Sequence, residues 1–340
     1  MNLELRFSNG EIMGFYIGNV YVGSEDNDCP MILGPMAGVC DMPYRILCAE
    51  NGADLVYTEM VSAKGILYNN KNTKDLLRIS PDERPVALQL FGSAPVILGD
   101  MAKRIEHLDF DILDINMGCP VPKIVNNGEG SALMKNPKLI GEIVKAISDA
   151  TTKPVTVKIR KGFDNENINA VEVAKIAEAN GAKAIAVHPR SREEYYFGHS
   201  DWSVIGDVVN AVNIPVIASG DVKDYKDAIA VKEQTNCAGI MIARAARGNP
   251  WIFGDIKAAL RGENVPVRGI IEVRDMILRH AQMMIDFKGE FTAMREMRKH
   301  VAWYTTGFKK SAKLRLKVNE VESFEQLKSL MDEYMIIGND

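Results

Sequence analysis

The segment Asn116-Met117-Gly118-Cys119-Pro120 follows the apolar run Asp111-Ile112-Leu113-Asp114-Ile115. A cysteine on a turn flanked by glycine and proline, at the end of a strand, is presented to solvent or ligand and not packed in a core. Such a thiol can give or take a proton. No histidine stands beside Cys119 in the sequence to lower its pKa, so a protonated thiol acting as general acid is better supported than a thiolate nucleophile. Lys158, in Lys158-Ile159-Arg160, is the second reactive type. An ammonium on an otherwise apolar strand is costly unless an anion faces it.

These residues need a scaffold that ends several strands at one place. Eight apolar, β-rich runs recur: 31–36, 55–59, 86–91, 112–115, 155–160, 184–188, 215–218 and 239–243. Each gap leaves room for one helix and two loops, which implies a parallel α/β sheet. The count of eight points to a closed (β/α)8 TIM barrel, with an open doubly wound sheet as the alternative. The first thirty residues read as an extra hairpin turning at Ile17-Gly18-Asn19-Val20 and plugging the bottom of the barrel. After Asn249-Pro250-Trp251 the pattern becomes helical and charged. The expected organisation is a barrel over 1–250, with 1–30 its hairpin, followed by an all-helical domain over 255–340.

Active-site groups of such barrels lie at the C-terminal ends of the strands. In order those ends carry Pro35-Met36-Ala37, Thr58-Glu59-Met60, Gln89, Asn116 with Cys119, Lys158, His188-Pro189-Arg190-Ser191-Arg192, Ser219-Gly220-Asp221 and Ala243-Arg244. The seventh and eighth ends are the usual phosphate position, and their small residues let backbone N–H groups approach phosphate oxygens. Lys158 suits the negative charge of a reduced flavin, and Gln89 can both donate to and accept from a flavin edge. Pro35, Met36 and Ala37 offer a surface for a flat ring, and His188 a contact to phosphate or ribityl. FMN is the implied cofactor. No GxGxxG follows a strand, so a Rossmann-type dinucleotide site is not expected.

The bulk properties fit an ordinary globular protein, with 46% hydrophobic and 25% charged residues. No apolar run of about 18 residues is present, so no membrane span is expected. No secretory signal is visible, and the five cysteines form no CxxC pair or zinc-like cluster. Reduced thiols in a cytoplasmic protein without a metal are the expectation, with Cys48 and Cys237 as buried hydrophobes.

The motifs resemble those of the tRNA-dihydrouridine synthases, most closely the bacterial B-type branch. The similarity rests on Pro-Met-Ala-Gly with Asp41-x-Pro43-x-Arg45, Thr58-Glu59-Met60, Gln89-Leu90-Phe91-Gly92, Asn-x-Gly-Cys-Pro, Lys158-Ile159-Arg160 and the 188–202 stretch. It implies FMN-dependent reduction of the C5=C6 bond of specific uridines in tRNA, with NADPH as reductant. It also implies hydride addition at C6, protonation of C5 by Cys119, and Asn116 at the uracil edge. Arg190 and Arg192 would lie near the base and RNA backbone. The implied FMN contacts are Pro35, Met36, Ala37, Gln89, Lys158, His188, Ser219, Gly220, Asp221, Ala243 and Arg244. The chain departs from the family's common pattern at Ser219, where Asn is common, at Ala243, where Gly is usual, and at Pro189. Function survives the change at Ala243 only if that position has ordinary backbone angles.

A net charge of −4 runs against an RNA substrate. Residues 291–318, however, hold eight basic residues against Glu296 alone, a local +7 that leaves −11 for the rest. A concentrated basic region is an electrostatic footprint for phosphate backbone. Trp303, Tyr304 and Phe308 interleave with it, and at least two of them are expected to pack the helical domain. Two rivals remain at this level: an FMN barrel that reduces a free enone or pyrimidine, and a barrel that binds RNA without redox turnover.

Overall fold

Strand β1 (Phe15–Ile17) turns into β2 (Val20–Val22) as an antiparallel hairpin, as the turn signal requires. This computed structural model describes residues 14–23 and 29–338; the remainder of the expected N-terminal hairpin lies outside the described residues. Then follow β3 (Met31–Leu33), β4 (Leu55–Tyr57), β5 (Val61–Ser62), β6 (Val86–Phe91), β7 (Ile112–Met117), β8 (Val155–Gly162), β9 (Ala184–Ser191), β10 (Val216–Ser219) and β11 (Gly239–Ile242). All nine pair in parallel, and the order β4-β3-β11-β10-β9-β8-β7-β6 is closed by a β4–β6 pairing. The sheet is therefore an eight-stranded barrel, with the two-residue β5 added against the end of β6. The open alternative is excluded.

Successive side chains on a strand alternate between faces, and the barrel interior shows this as two strata. Ile17 and Val22 of the hairpin form one apolar cluster with Ile32, Leu55, Tyr57, Ala87, Ile112, Ala184, Ala186, Ile217 and Met241. The hairpin thus plugs the barrel end where the strands begin. Two residues further along the same strands stand Gln89, Asp114, His188 and Ser219. The interior changes from apolar to polar at one height. The register fixes which polar groups are neighbours: Gln89 pairs with Asp114, Asp114 with Thr156, Asn116 with Lys158, and Arg160 with His188. The outward faces join the helices in a second, larger core, which contains Cys48 and Cys237, both fully buried.

The helix Ile252–Leu260 packs against the helix Tyr225–Thr235 and against β3. Its Lys257 pairs with buried Asp54 at 2.6 Å, and Gly254 N–H donates to Asn51 at 2.9 Å. After it the chain is helical: Ile270–Lys288, Glu290–Tyr304, Ser311–Lys317 and Phe324–Gly338. Lys288 joins these helices to the barrel, with its ammonium 2.8 Å from Asp41 and 2.8 Å from Glu296. Arg78 donates to the Phe287 carbonyl at 2.9 Å across the same seam. Tyr304 is buried, and Trp303 and Phe308 pack partly against the core, as expected for at least two of the three. No helix among the described residues is long and apolar enough to cross a membrane.

Candidate active site

A chain of hydrogen bonds crosses the polar stratum from β8 to the cysteine turn. The Thr156 hydroxyl donates to Asp114 at 2.6 Å, and Gln89 Nε2 donates to the other Asp114 oxygen at 2.7 Å. Asn116 Nδ2 donates to Gln89 Oε1 at 2.9 Å. Asn116 Oδ1 then accepts from the N–H groups of Cys119, at 2.9 Å, and Gly118, at 3.3 Å. Burial pushes the Asp114 carboxyl up to about 6, against the opposing pull of Thr156, Gln89 and Lys158.

Cys119 is partly exposed on the turn after β7, unlike the other four cysteines, which are buried. Burial raises its pKa, opposed only in part by the Val121 amide and Arg160, so the thiol stays protonated at neutral pH. Its carbonyl accepts from the Ser131 N–H at 3.0 Å and hydroxyl at 2.9 Å. Gly130 beside it has φ +60°, and a Cβ there would lie 2.8 Å from the Cys119 carbonyl oxygen. Only glycine fits both demands.

Lys158 has no carboxylate partner among the described residues; its ammonium donates to the Ser219 hydroxyl at 3.3 Å. Burial, with Arg160 nearby, lowers it to about 8 despite Asp114. His188 is buried, and burial together with Lys158, Arg160, Arg190 and Arg244 holds it well below its ordinary pKa, so it is neutral. Gly220 has φ +127°, and a Cβ there would meet the His188 ring and Ser200 at 2.8 Å. Ala243 has φ −119° and ψ −84°, a negative φ that does not demand glycine but a pair outside the regular helical and extended regions. The single 3-10 turn Arg244–Ala246 follows, and the leading N–H groups of such a turn have no partner within it. Pro35 and Met36 are half-buried and Ala37 exposed at the same end of the barrel, where the Met36 carbonyl accepts from Val39 and Cys40, both at 3.0 Å.

Arg190 and Arg192 part company. The Arg190 side chain is buried and all five of its N–H groups have protein acceptors: Phe197 and Gly198 carbonyls, the Ser200 hydroxyl, His188 and both oxygens of Asp221. It shapes the loop after β9 and offers nothing free to an RNA. Asp221 also accepts from Arg244 at 2.9 Å and the Ser200 amide at 2.8 Å. Burial pulls Asp221 up, but these bonds, Arg190's first, outweigh it and hold the carboxylate below its usual range. Arg192 is half-exposed over the Phe163 ring, 5.5 Å from its centroid, and is not tied to the other site residues.

Four residues at this mouth were given no role by the sequence, although Arg160 stood in the Lys158-Ile159-Arg160 motif. Asp114 and Thr156 carry the polar chain. Buried Arg160 ties the cysteine turn to the next loop, donating to Gly118 at 2.8 Å, Ser191 at 2.8 Å and Tyr195 at 2.9 Å. Tyr196 lies between Arg244, 4.9 Å from its ring, and Arg160, 5.5 Å from it. Period-two spacing from Asn116 and Lys158 was the available signal for Asp114 and Thr156, and the run Tyr195-Tyr196-Phe197 was the signal for the last.

A parallel eight-stranded barrel with a protonated thiol, fixed amides and an unpaired ammonium at its mouth is an enzyme-like (β/α)8 site. Residues 32–336 match the family model described as Dihydrouridine synthase (Dus). The chain belongs to the dihydrouridine synthase family. It is 40% identical to tRNA-dihydrouridine synthase B of Pseudomonas aeruginosa, over 86% of this chain and 88% of that protein. It is 38% identical to tRNA-dihydrouridine synthase B of Vibrio vulnificus, over 89% of this chain and 94% of that one. Among solved structures it resembles histamine dehydrogenase from Rhizobium sp. 4-9, with a TM-score of 0.58 and 15% identity over 81% of this chain. It spans about half of that protein, 51%, and this likeness is one of fold.

Proposed function

We propose that this protein reduces the C5=C6 bond of specific uridines in tRNA to 5,6-dihydrouridine, using FMN and, as reductant, NADPH, in the cytoplasm. The observation that carries the reading is Cys119: a thiol kept protonated by burial, its backbone N–H locked to Asn116, at the mouth of a barrel of this family. The residues present fit FMN. Lys158 is a desolvated ammonium whose hydrogen-bond partner among the described residues is a hydroxyl, and Gly220 lets the Ser219–Asp221 loop pack closely. Pro35, Met36, Ala37, Gln89, Lys158, His188, Ser219, Gly220, Asp221, Ala243 and Arg244 would hold the group, Asp221 acting by fixing Arg244.

Bound FMN supplies the hydride that adds at C6 of the uracil. The chain supplies the rest. Asn116 holds the base edge, and Cys119 delivers its proton to C5 of the resulting enolate. Lys158 would offer bound FMN a fixed positive charge while it remains protonated. A uridine must leave the tRNA fold to lie in this mouth. We assign the tRNA-binding helices to Ile270–Gly338, because the helix Ile252–Leu260 packs as part of the barrel.

The test is Cys119→Ala in the flavin-loaded protein. It should keep visible flavin absorbance and reduction by NADPH but lose dihydrouridine formation by about 100-fold or more, the range of a lost general acid. Wild-type levels of dihydrouridine in the variant would remove Cys119 from this role. A protein purified without flavin absorbance would favour a binding-only barrel.

A further inference from the structure

An amide side chain can face a neighbour with its oxygen or its NH2, and the sense decides which ring edge it accepts. In this barrel the sense is set from both ends. At one end is Asp114, fully buried on β7. An ionised carboxylate only accepts, so Gln89 must turn its NH2 to Asp114 and its oxygen to Asn116. At the other end are the N–H groups of Cys119 and Gly118, which only donate and which occupy Asn116 Oδ1. Asn116 must therefore turn its NH2 to Gln89 Oε1. Reversing Gln89 would set oxygen against carboxylate, and reversing Asn116 would set NH2 against N–H. Each amide keeps one N–H without a partner among the described residues, and Asn116, 7% exposed, is the one that reaches the mouth.

We propose that Asp114 is a positioning residue that holds Asn116 in its donating sense, so that the site takes a pyrimidine whose facing edge carries a carbonyl and rejects one with an exocyclic amine there. This rests on the reading that uridine is the substrate, and it deepens that reading by tracing base choice to a residue that never touches the base. An amine opposite the Asn116 N–H leaves two donors unsatisfied, and a buried unmade hydrogen bond costs more than a made one contributes.

Asp114 is also the member of the chain that titrates, near 6. The groups facing it are Thr156 and Lys158 on β8, Gln89 on β6 and Tyr57 on β4. Lys158 titrates near 8 and Tyr57 well above its ordinary value, so neither changes state near 6. As pH falls through that value the carboxyl gains an O–H that can serve a reversed Gln89, and the fixed sense is lost.

The test is calorimetric titration of the holoenzyme with two short RNAs that differ only in a central uridine or cytidine. Wild type should bind the uridine RNA about tenfold more tightly at neutral pH, the equivalent of one hydrogen bond. The ratio should shrink as pH falls through about 6. Asp114→Leu should bring it near one. Asp114→Asn offers both a donor and an acceptor, as the protonated acid does, and cannot titrate, so it should show the low-pH ratio at every pH and lose the step; it also serves where the leucine variant does not fold. An unchanged ratio in folded Asp114→Leu, or a persisting step in Asp114→Asn, overturns the proposal. A wild type that forms no dihydrouridine in tRNA overturns the functional reading instead, while the binding ratios still decide the role of Asp114.

Discussion

Arg190, at the end of β9, and Asp221, on the loop after β10, form a bidentate pair: Nη1 lies 3.1 Å from one carboxylate oxygen and Nη2 2.5 Å from the other. The same carboxylate holds Arg244 at 2.9 Å, so one acid organises two arginines beside the proposed phosphate position. Asp221→Ala would leave the buried Arg190 without its counter-charge, a change that commonly destabilises by several kcal/mol. The expected result is a thermal midpoint several degrees lower and FMN affinity weaker by about tenfold or more. Asp221→Asn should recover part of both. Fluorescence titration of the apoprotein with FMN and a melting curve read the two effects.

The cysteine turn depends on Gly130 as much as on its own sequence. A side chain there must adopt φ +60° and displace the Cys119 carbonyl 2.8 Å away. Gly130→Ala should cost about 1–3 kcal/mol in stability, the range for a strained backbone site. Because Ser131 grips the same carbonyl, the turn should shift with it. Dihydrouridine formation should fall more than flavin reduction does. Equal loss of both half-reactions would place the damage elsewhere.

The barrel was legible because buried parallel strands are near-continuous apolar runs. β6 matches its expected bounds, Val86–Phe91, and β8 and β9 extend past theirs because their polar ends, Lys161-Gly162 and Pro189 to Ser191, stay in the sheet. Polar residues at strand ends identified Gln89, Asn116, Lys158 and His188. Orientation was not legible. Asp114 sits inside an apolar run, where its period-two spacing from Asn116 was a faint signal, and the register with Gln89 and Thr156 shows that it faces the interior. The family resemblance placed Arg190 near the RNA, and its pairing with Asp221, 31 residues away in sequence, was not legible. The +7 segment is likewise divided by packing: Arg298 donates inward to Val321 at 3.0 Å, and Arg295 stacks on Phe291.

His280 and His300 meet at the seam between barrel and helices, their rings 4.6 Å apart and bordered by Tyr44 and Tyr304. Burial lowers His280 to about 4 and His300 well below its ordinary value. Each is a base held neutral by the fold. Its contribution is complete above the unfolded value of about 6.5. That contribution is lost as pH falls from there through about 4. Asp114 works in the opposite sense, since its raised pKa makes protonation between about 6 and its ordinary value favour the fold. The comparison must therefore be between variants. His280→Leu should melt with a shallower acid dependence than wild type over this window, and identical slopes would show that His280 binds protons equally in both states, so that the fold does not hold it neutral.

Lys309, Lys313 and Arg315 are exposed on the helical part with no carboxylate partner among the described residues, whereas Lys317 is paired with Glu333 at 2.6 Å. Each cation that neutralises an RNA phosphate releases counterions and steepens the salt dependence of binding by nearly one unit of log K per log salt. The double change Lys313→Gln and Arg315→Gln should weaken tRNA binding at low salt and reduce that slope by about two. Lys317→Gln should change it less, because Glu333 already neutralises that ammonium. Reduction of the flavin by NADPH should be the same in all three proteins, since the seam at Lys288 and the barrel mouth are untouched. If the slope is unaltered while affinity falls, these side chains act through the packing of the helix Ser311–Lys317 and not on phosphate.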